Sequence, residues 1–173
     1  MSSRLVRVLS VAALAFAVCA CAPRGHAQPL PDQSAQSAAF LKKNGALADV
    51  KTLPDGLQIK VVRSGLPGGA SVHVGDEVKV MYEGALIDGT VFDSSYIRGE
   101  PDVFTVGEVV PAWNEALQLM HPGDVWYLYV PPTLGYGGHG AGPIPPNAVM
   151  VFKLELLGVL PHGGAGGAGD AQG

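Results

Sequence analysis

The stretch Gly107–Asp124, GEVVPAWNEALQLMHPGD, constrains the fold more than any other. Trp113, Ala116, Leu117 and Met120 fall at i, i+3, i+4 and i+7, one apolar stripe of helical period. Asn114, Glu115 and Gln118 lie on the other side. Pro111 stands where a first helical turn tolerates proline, and Pro122-Gly123 stops the run. The pattern predicts a helix of about three turns. The segments flanking it read as strands. A lone short helix among strands can bury its stripe only against a sheet. Trp113 therefore belongs where helix and sheet meet.

The strand signals are short and separated by turns. Leu57, Ile59 and Val61 alternate with Gln58, Lys60 and Val62, and Val78, Val80 and Tyr82 alternate with Lys79, Met81 and Glu83. Asp88-Gly89 between apolar residues predicts a hairpin, with Thr90–Phe92 beginning the return strand. Val103–Val106, Asp124–Val130 and Ala148–Val159 complete the set, and Tyr96–Pro101 reads as loop. Pro131–Asn147 is a long irregular segment rich in Gly and Pro. Hairpin-linked strands with one helix predict an α+β domain over residues 57–160, an antiparallel β-sheet around a short α-helix. Residues 161–173 are a Gly-rich tail expected to be disordered.

The N-terminus reads as an address. Arg4 and Arg7 precede an apolar or small run, Val8–Ala20, the size of a signal-peptide core and too short to span a bilayer. Val18-Cys19-Ala20-Cys21 resembles a bacterial lipobox, which makes residues 1–20 the signal and Cys21 the lipidated first residue. A cut after Ala27 by ordinary signal peptidase is the alternative. Cys19 and Cys21 are the only cysteines, so neither cut leaves a pair to cross-link. Residues 21–56 then form a Pro-rich tether with a short helical lead-in at Ser37–Asn44, too short to be stable alone.

Net charge is −4, which argues against nucleic acid as a partner. The five histidines are scattered and never paired at ligand spacing, so neither metal nor cofactor is expected. Ser94 and Ser95 lack a nucleophile-elbow context, and GYGGHGAG at 135–142 follows no phosphate-binding pattern. Hydrolytic, phosphoryl-transfer and redox chemistry all lack their parts. What remains is an aromatic set, Tyr82, Phe92, Phe104, Trp113, Tyr136 and Phe152, with Asp93 directly after Phe92. Tyr136 stands out because it sits in a Gly/Pro loop, where functional residues are common.

VKVMYEGALIDGTVFDSSY, then GEVVPAWNEALQLMHPGD, then GYG and PIPPNAVMVFKLELL, resembles the FKBP-type peptidyl-prolyl cis-trans isomerases, in the secreted bacterial branch that includes the macrophage infectivity potentiator. The resemblance covers about Leu57–Leu160. It implies an isomerase acting on X-Pro bonds of exported proteins, with a pocket between sheet and helix. The alternative is a non-enzymatic chaperone module that binds proline segments in the same pocket. Carried over by motif, Trp113 is the floor and Tyr82, Phe92, Tyr136 and Phe152 are walls. Asp93 orients polar contacts with Arg98 as its partner. Phe104, Val109, Val110 and Ile144 contact substrate, the Val110 N–H holding a carbonyl. The resemblance also implies macrolide inhibitors as ligands of that pocket.

Two departures from the family pattern touch the pocket. Asp102 stands where some members have an aromatic, and Gly135 replaces the usual Ala before Tyr136, which predicts looser loop contacts. The long dimerising helix of the infectivity-potentiator branch is missing, so a monomer is expected. The expected location is the periplasm, anchored to the outer membrane through the lipid on Cys21, or soluble there after the alternative cut.

Overall fold

The structure, a computed structural model, describes residues 30–65 and 68–162. The signal segment, Cys21 with its lipobox, the alternative cut and the tail from 163 onward lie outside those residues. Seven strands form one antiparallel sheet: β1 (Lys51–Thr52), β2 (Gln58–Arg63), β3 (Glu77–Leu86), β4 (Val91–Ser94), β5 (Asp102–Thr105), β6 (Val125–Val130) and β7 (Met150–Leu160). Their order is β1-β2-β6-β7-β3-β4, with β5 also on β3. Three helices accompany them: α1 (Ser34–Asn44), α2 (Ser95–Arg98) and α3 (Pro111–Leu119). The expected α+β architecture is present.

The free edge of β3 is shared. β5 pairs with its first half at Glu77–Val80, and β4 with its second half at Glu83–Ala85. Tyr82 falls in the gap between them. The buried Ser95 hydroxyl fills that gap, accepting from the Tyr82 N–H at 2.7 Å and donating to the Tyr82 carbonyl at 3.2 Å. A ladder interruption in a buried place thus leaves no orphaned backbone group. The other edge of β3 pairs with β7 from Glu77↔Leu160 to Leu86↔Met150.

The stripe read from the sequence is the buried face of α3. Ala112, Trp113, Ala116 and Leu117 are buried on the helix, with Met120 one residue beyond its end. They meet Val78, Val80, Leu128, Leu154 and Leu156 in one apolar core. Pro111 opens the helix as expected.

Two segments differ from the sequence expectation. Ser95–Arg98, expected as break and loop, form one helical turn. The Ser94 hydroxyl caps it by accepting from the Ile97 N–H at 3.2 Å, and Gly99 closes it in the left-handed region. The helical lead-in expected from Ser37 begins earlier, as α1 starts at Ser34, and β1, within the expected tether, pairs with β2. Phe40 of α1 contacts Tyr129 at 5.9 Å between ring centroids. The Asn44 amide donates to Gln58 Oε1 at 2.8 Å, and the Gln58 amide donates to the Leu41 carbonyl at 2.9 Å. Gln58 and Tyr129 are cross-strand partners, so both side chains lie on one face of the sheet. Leu128 and Val130 point to the opposite, core face. α1 and α3 therefore occupy opposite faces of the sheet.

Candidate functional site

Trp113 sits in the third position of α3, 4% exposed, with three rings set edge-on around it. Tyr82 from β3 lies at 5.1 Å and 84°, Phe152 from β7 at 5.3 Å and 80°, and Phe104 from β5 at 5.4 Å and 86°. Phe92 from β4 meets Phe152 edge-on at 5.7 Å. Such T-shaped contacts set positive ring edges against negative faces and fix ring orientation beyond mere burial. The Trp113 indole N–H is buried with no hydrogen-bond partner among the described residues.

Above this floor opens a cavity of about 520 Å³, within the range of ligand-binding clefts. The strands supply Tyr82, Phe92, Asp93, Phe104 and Phe152 to its lining. The loop entering α3 supplies Glu108, Val109 and Val110, and the long loop after β6 supplies Tyr136 and Ile144. Every pocket residue read from the sequence is present except Arg98, which does not line the cavity and instead contacts Asp93 from outside it. Glu108 is the lining residue the sequence reading does not include. Its place beside Val109 and Val110 was the available signal.

Local chemistry explains how the walls hold. Gly84 on β3 pairs with Asp93 on one side and Phe152 on the other. A Cβ there would lie 2.6 Å from Phe92 Cε2 and 2.7 Å from Phe152 Cε1, so only glycine admits both rings. Asn114 pins the rim loop to α3: its Oδ1 accepts from the Gly107 N–H at 2.7 Å and its Nδ2 donates to the Val109 carbonyl at 2.9 Å. Val110 caps α3, its carbonyl accepting from the Trp113 N–H at 2.9 Å. No acceptor among the described residues takes the Val110 N–H itself.

One polar group of residues edges the cavity. The Tyr82 hydroxyl donates to the Asp93 carboxylate. Arg98 reaches Asp93 Oδ1 at 2.5 Å through Nη1 and pairs with Asp102 through Nη2, the same nitrogen lying 3.3 Å from the Tyr82 oxygen. The turn of α2 brings Arg98 back to this position. Asp102 is therefore held by Arg98 and does not line the cavity. Burial first, and then the hydrogen bond to Asp93, push the Tyr82 phenol up to about 12. Partial burial works to raise the Asp93 carboxyl, but the hydrogen bonds from Tyr82 and Arg98 outweigh it and hold the group below its ordinary value. At neutral pH the site carries a neutral phenol, a carboxylate and a guanidinium.

At the mouth, Tyr136 is 44% exposed while Ile144 is buried. Ala141 and Ile144 exchange backbone hydrogen bonds at 2.9 and 2.8 Å, a tight turn that presents Ile144 to the cavity. The looseness expected at Gly135 has a counterweight. A Cβ at Gly135 would fall 2.4 Å from the Met150 methyl, so Met150 occupies the room that an alanine there would take.

Residues 68–157 match the family model described as FKBP-type peptidyl-prolyl cis-trans isomerase. The chain is similar to the peptidyl-prolyl cis-trans isomerase Mip of Coxiella burnetii, 51% identical over 125 residues, which are 72% of this chain and 54% of that protein. It is also similar to the outer membrane protein MIP of Legionella longbeachae, 44% identical over 129 residues, 74% of this chain and 54% of that protein. The match thus spans about half the length of each relative. A crystal structure of a peptidyl-prolyl cis-trans isomerase from Pseudomonas syringae superposes with a TM-score of 0.70 at 32% identity, over 78% of this chain and 99% of that one.

Proposed function

Since the chain belongs to the family of FKBP-type peptidyl-prolyl cis-trans isomerases, we propose that it accelerates rotation about X-Pro bonds in exported polypeptides. The observation that carries this reading is the aromatic cavity built edge-on around Trp113, with an uncommitted Val110 N–H at its rim. The reaction needs no more than that. Rotation about a peptide bond faces a barrier of ~18–20 kcal/mol because resonance gives C–N partial double-bond character. The two X-Pro isomers differ by only about 0.5–1 kcal/mol, so the task is one of rate alone.

The planar amide is charge-separated and favours water, whereas the twisted amide has lost that resonance and is less polar. An apolar cavity therefore disfavours the planar form more than the twisted one, which is differential binding of the transition state. A barrier lowered by ~5 kcal/mol corresponds to a few thousandfold in rate. In this reading the prolyl ring rests on Trp113 between Tyr82, Phe92, Phe104, Tyr136 and Phe152. The Val110 N–H receives a substrate carbonyl, and Val109 and Ile144 contact the chain on either side. Asp93 and Arg98 hold the Tyr82 hydroxyl in place. Macrolide inhibitors of this family would occupy the same cavity.

The test is the rate of cis-to-trans conversion in a Phe-Pro peptide across pH. Among the described residues no histidine lines the cavity, burial pushes the Tyr82 phenol up to about 12, and Asp93 is held low. Turnover should therefore stay flat between about pH 6 and 9, given the ordinary ranges of these groups. A bell-shaped profile would mean acid-base chemistry instead. Binding of the peptide without turnover would make the domain a proline-binding chaperone module.

The motif at Val18–Cys21 supports a second part of the proposal, export to the periplasm with a lipid on Cys21 anchoring the chain to the outer membrane. The name of the Legionella relative, an outer membrane protein, agrees with that placement. Mass spectrometry of the mature N-terminus decides it, since a start at Gln28 without acylation would leave a soluble periplasmic protein.

A further inference from the structure

We propose that the segment Asp32–Ser37 is a positioning element for the pocket loop, with Ser37 as its central residue. The segment lies upstream of the family-matched residues 68–157. Tyr136 and Ile144, which complete the mouth of the cavity, belong to a loop rich in glycine, with no long strand of its own. What holds that loop comes in good part from outside it.

Asn147 is the junction. Its N–H donates to the Gly137 carbonyl at 2.8 Å, which closes the loop directly behind Tyr136. Its φ is 56°, a left-handed value found at no other non-glycine among the described residues. Asparagine tolerates that conformation better than most side chains, and the contacts around it hold it there. The surroundings here are α1 and the two residues before it. The Ser37 hydroxyl donates to the Asn147 carbonyl at 2.7 Å and accepts from the Val149 N–H at 3.0 Å. The Gln33 N–H donates to the Pro146 carbonyl at 2.9 Å, and the Asn147 amide donates to Asp32 Oδ2 at 2.6 Å.

The choice of serine fits this role. A hydroxyl can donate and accept at once, as both bonds require. Serine is otherwise a weak choice inside a helix. Ser37 is 2% exposed, while its neighbours Ala38 and Ala39 face solvent. The inward side of the first turns of α1 is thus polar and is spent on the loop. Removing the hydroxyl leaves the Trp113 floor and the strand walls untouched. A loosened loop must be ordered by the substrate itself, which weakens binding without altering the twisted state once bound.

The kinetic arm of the test rests on the isomerase reading; the exchange arm does not. In the full chain, amide hydrogen exchange is measured for residues 136–149 and for β3 and β7. The kcat and KM on a Phe-Pro peptide are measured beside it, for wild type, Ser37→Ala, Ser37→Thr and Asp32→Ala. A hydrogen bond of this kind contributes a factor of about three to ten. Ser37→Ala should speed loop exchange and raise KM by about that factor, with kcat within about twofold and strand exchange unchanged. Ser37→Thr should restore both, and Asp32→Ala should move both in the same direction by less. Equal acceleration in β3 and β7, or faster loop exchange at unchanged KM, would overturn the proposal. If Ser37→Ala does not fold, the exposed Asp32→Ala decides on the same two readouts. If wild type shows no turnover, the isomerase reading fails, and the dissociation constant for the same peptide replaces KM.

Discussion

α3 and α1 lie on opposite faces of one sheet, and they are attached by opposite chemistry. α3 buries alanine, leucine and the pocket tryptophan, so the face it turns to the sheet is apolar. The residues α1 buries are Ser37 and Asn44, each committed to named hydrogen-bond partners. Apolar burial is tolerant of partner and direction, so a stripe is visible without knowing what it meets. A polar docking face is directional and costly if unmet, so it makes sense only once its partners are in place. Substitutions on both faces of the sheet and a pH scan can break or sharpen that contrast.

The largest effect should come from Leu117→Ala. Leu117 is fully buried under the sheet, and deleting its methyls should cost about 2–5 kcal/mol, read as a lowered midpoint in urea unfolding. Phe40→Ala on α1 should cost clearly less, because Phe40 is only partly covered. Equal costs would mean that α1 is held by apolar burial after all.

Gly84→Ala comes next and probes the pocket side of the sheet. The added Cβ meets two rings at under 3 Å, and overpacking of this kind costs about 1–3 kcal/mol. Phe92 and Phe152 must turn or retreat, so turnover should fall together with stability. Full activity in the variant would show that the edge-on arrangement of these rings is dispensable.

The same contrast explains what the sequence could reveal. The stripe Trp113–Met120, the Asp88-Gly89 hairpin and the alternation through Val78, Val80 and Tyr82 are periodic, and they reappear in the structure as α3, the β3–β4 turn and the inner face of β3. The pocket lining was legible because the motif resemblance fixed its members together, from Tyr82 to Phe152. Glu108 escaped because its charge made it look like ordinary surface. α1 was legible only as a fragment, since nothing in Ser37 or Asn44 announces that each is buried. Their partners lie 110 and 14 residues away. The turn of α2 was hidden for a similar reason, because its cap is a serine among serines.

A polar deletion on α1 should be smaller but more specific. Asn44→Leu leaves the buried Gln58 amide short of a partner and should cost on the order of 1 kcal/mol in urea unfolding. Adding Gln58→Leu should recover part of it, because replacing both members of a buried pair with apolar groups is nearly neutral. No recovery would place the cost in the link from Gln58 to the Leu41 carbonyl, which closes the end of the helix.

The smallest effect separates the two helices by pH. On the α1 side, hydrogen bonds from Ser34 and then Asn147 hold the Asp32 carboxyl below its ordinary 3.8. A lowered acid binds its proton less well folded than unfolded. Its contribution is therefore present above pH 3.8 and is lost as pH falls through the lower folded value. On the α3 side, the hydrogen bond shared with Asp55, and then burial, push Glu115 up to about 7 from 4.5. A raised acid binds its proton better folded than unfolded. Its contribution is complete below pH 4.5 and fades as pH rises through about 7. Acid should thus loosen the attachment of α1 to the loop, while mild alkali should loosen α3 from Asp55. The Asp55–Glu115 pair faces solvent, so its effect should stay under about 1 kcal/mol. The measurement is the thermal midpoint from pH 3 to 9, with Glu115→Gln and Asp32→Asn beside wild type. Glu115→Gln should flatten the limb between pH 5 and 8 and leave the acid limb, and Asp32→Asn should do the reverse. Because Glu115 does not line the cavity, isomerisation should remain flat with pH where the midpoint shifts. Turnover that tracks the midpoint through pH 7 would show that the tilt of α3, and with it the Trp113 floor, is set by that shared proton.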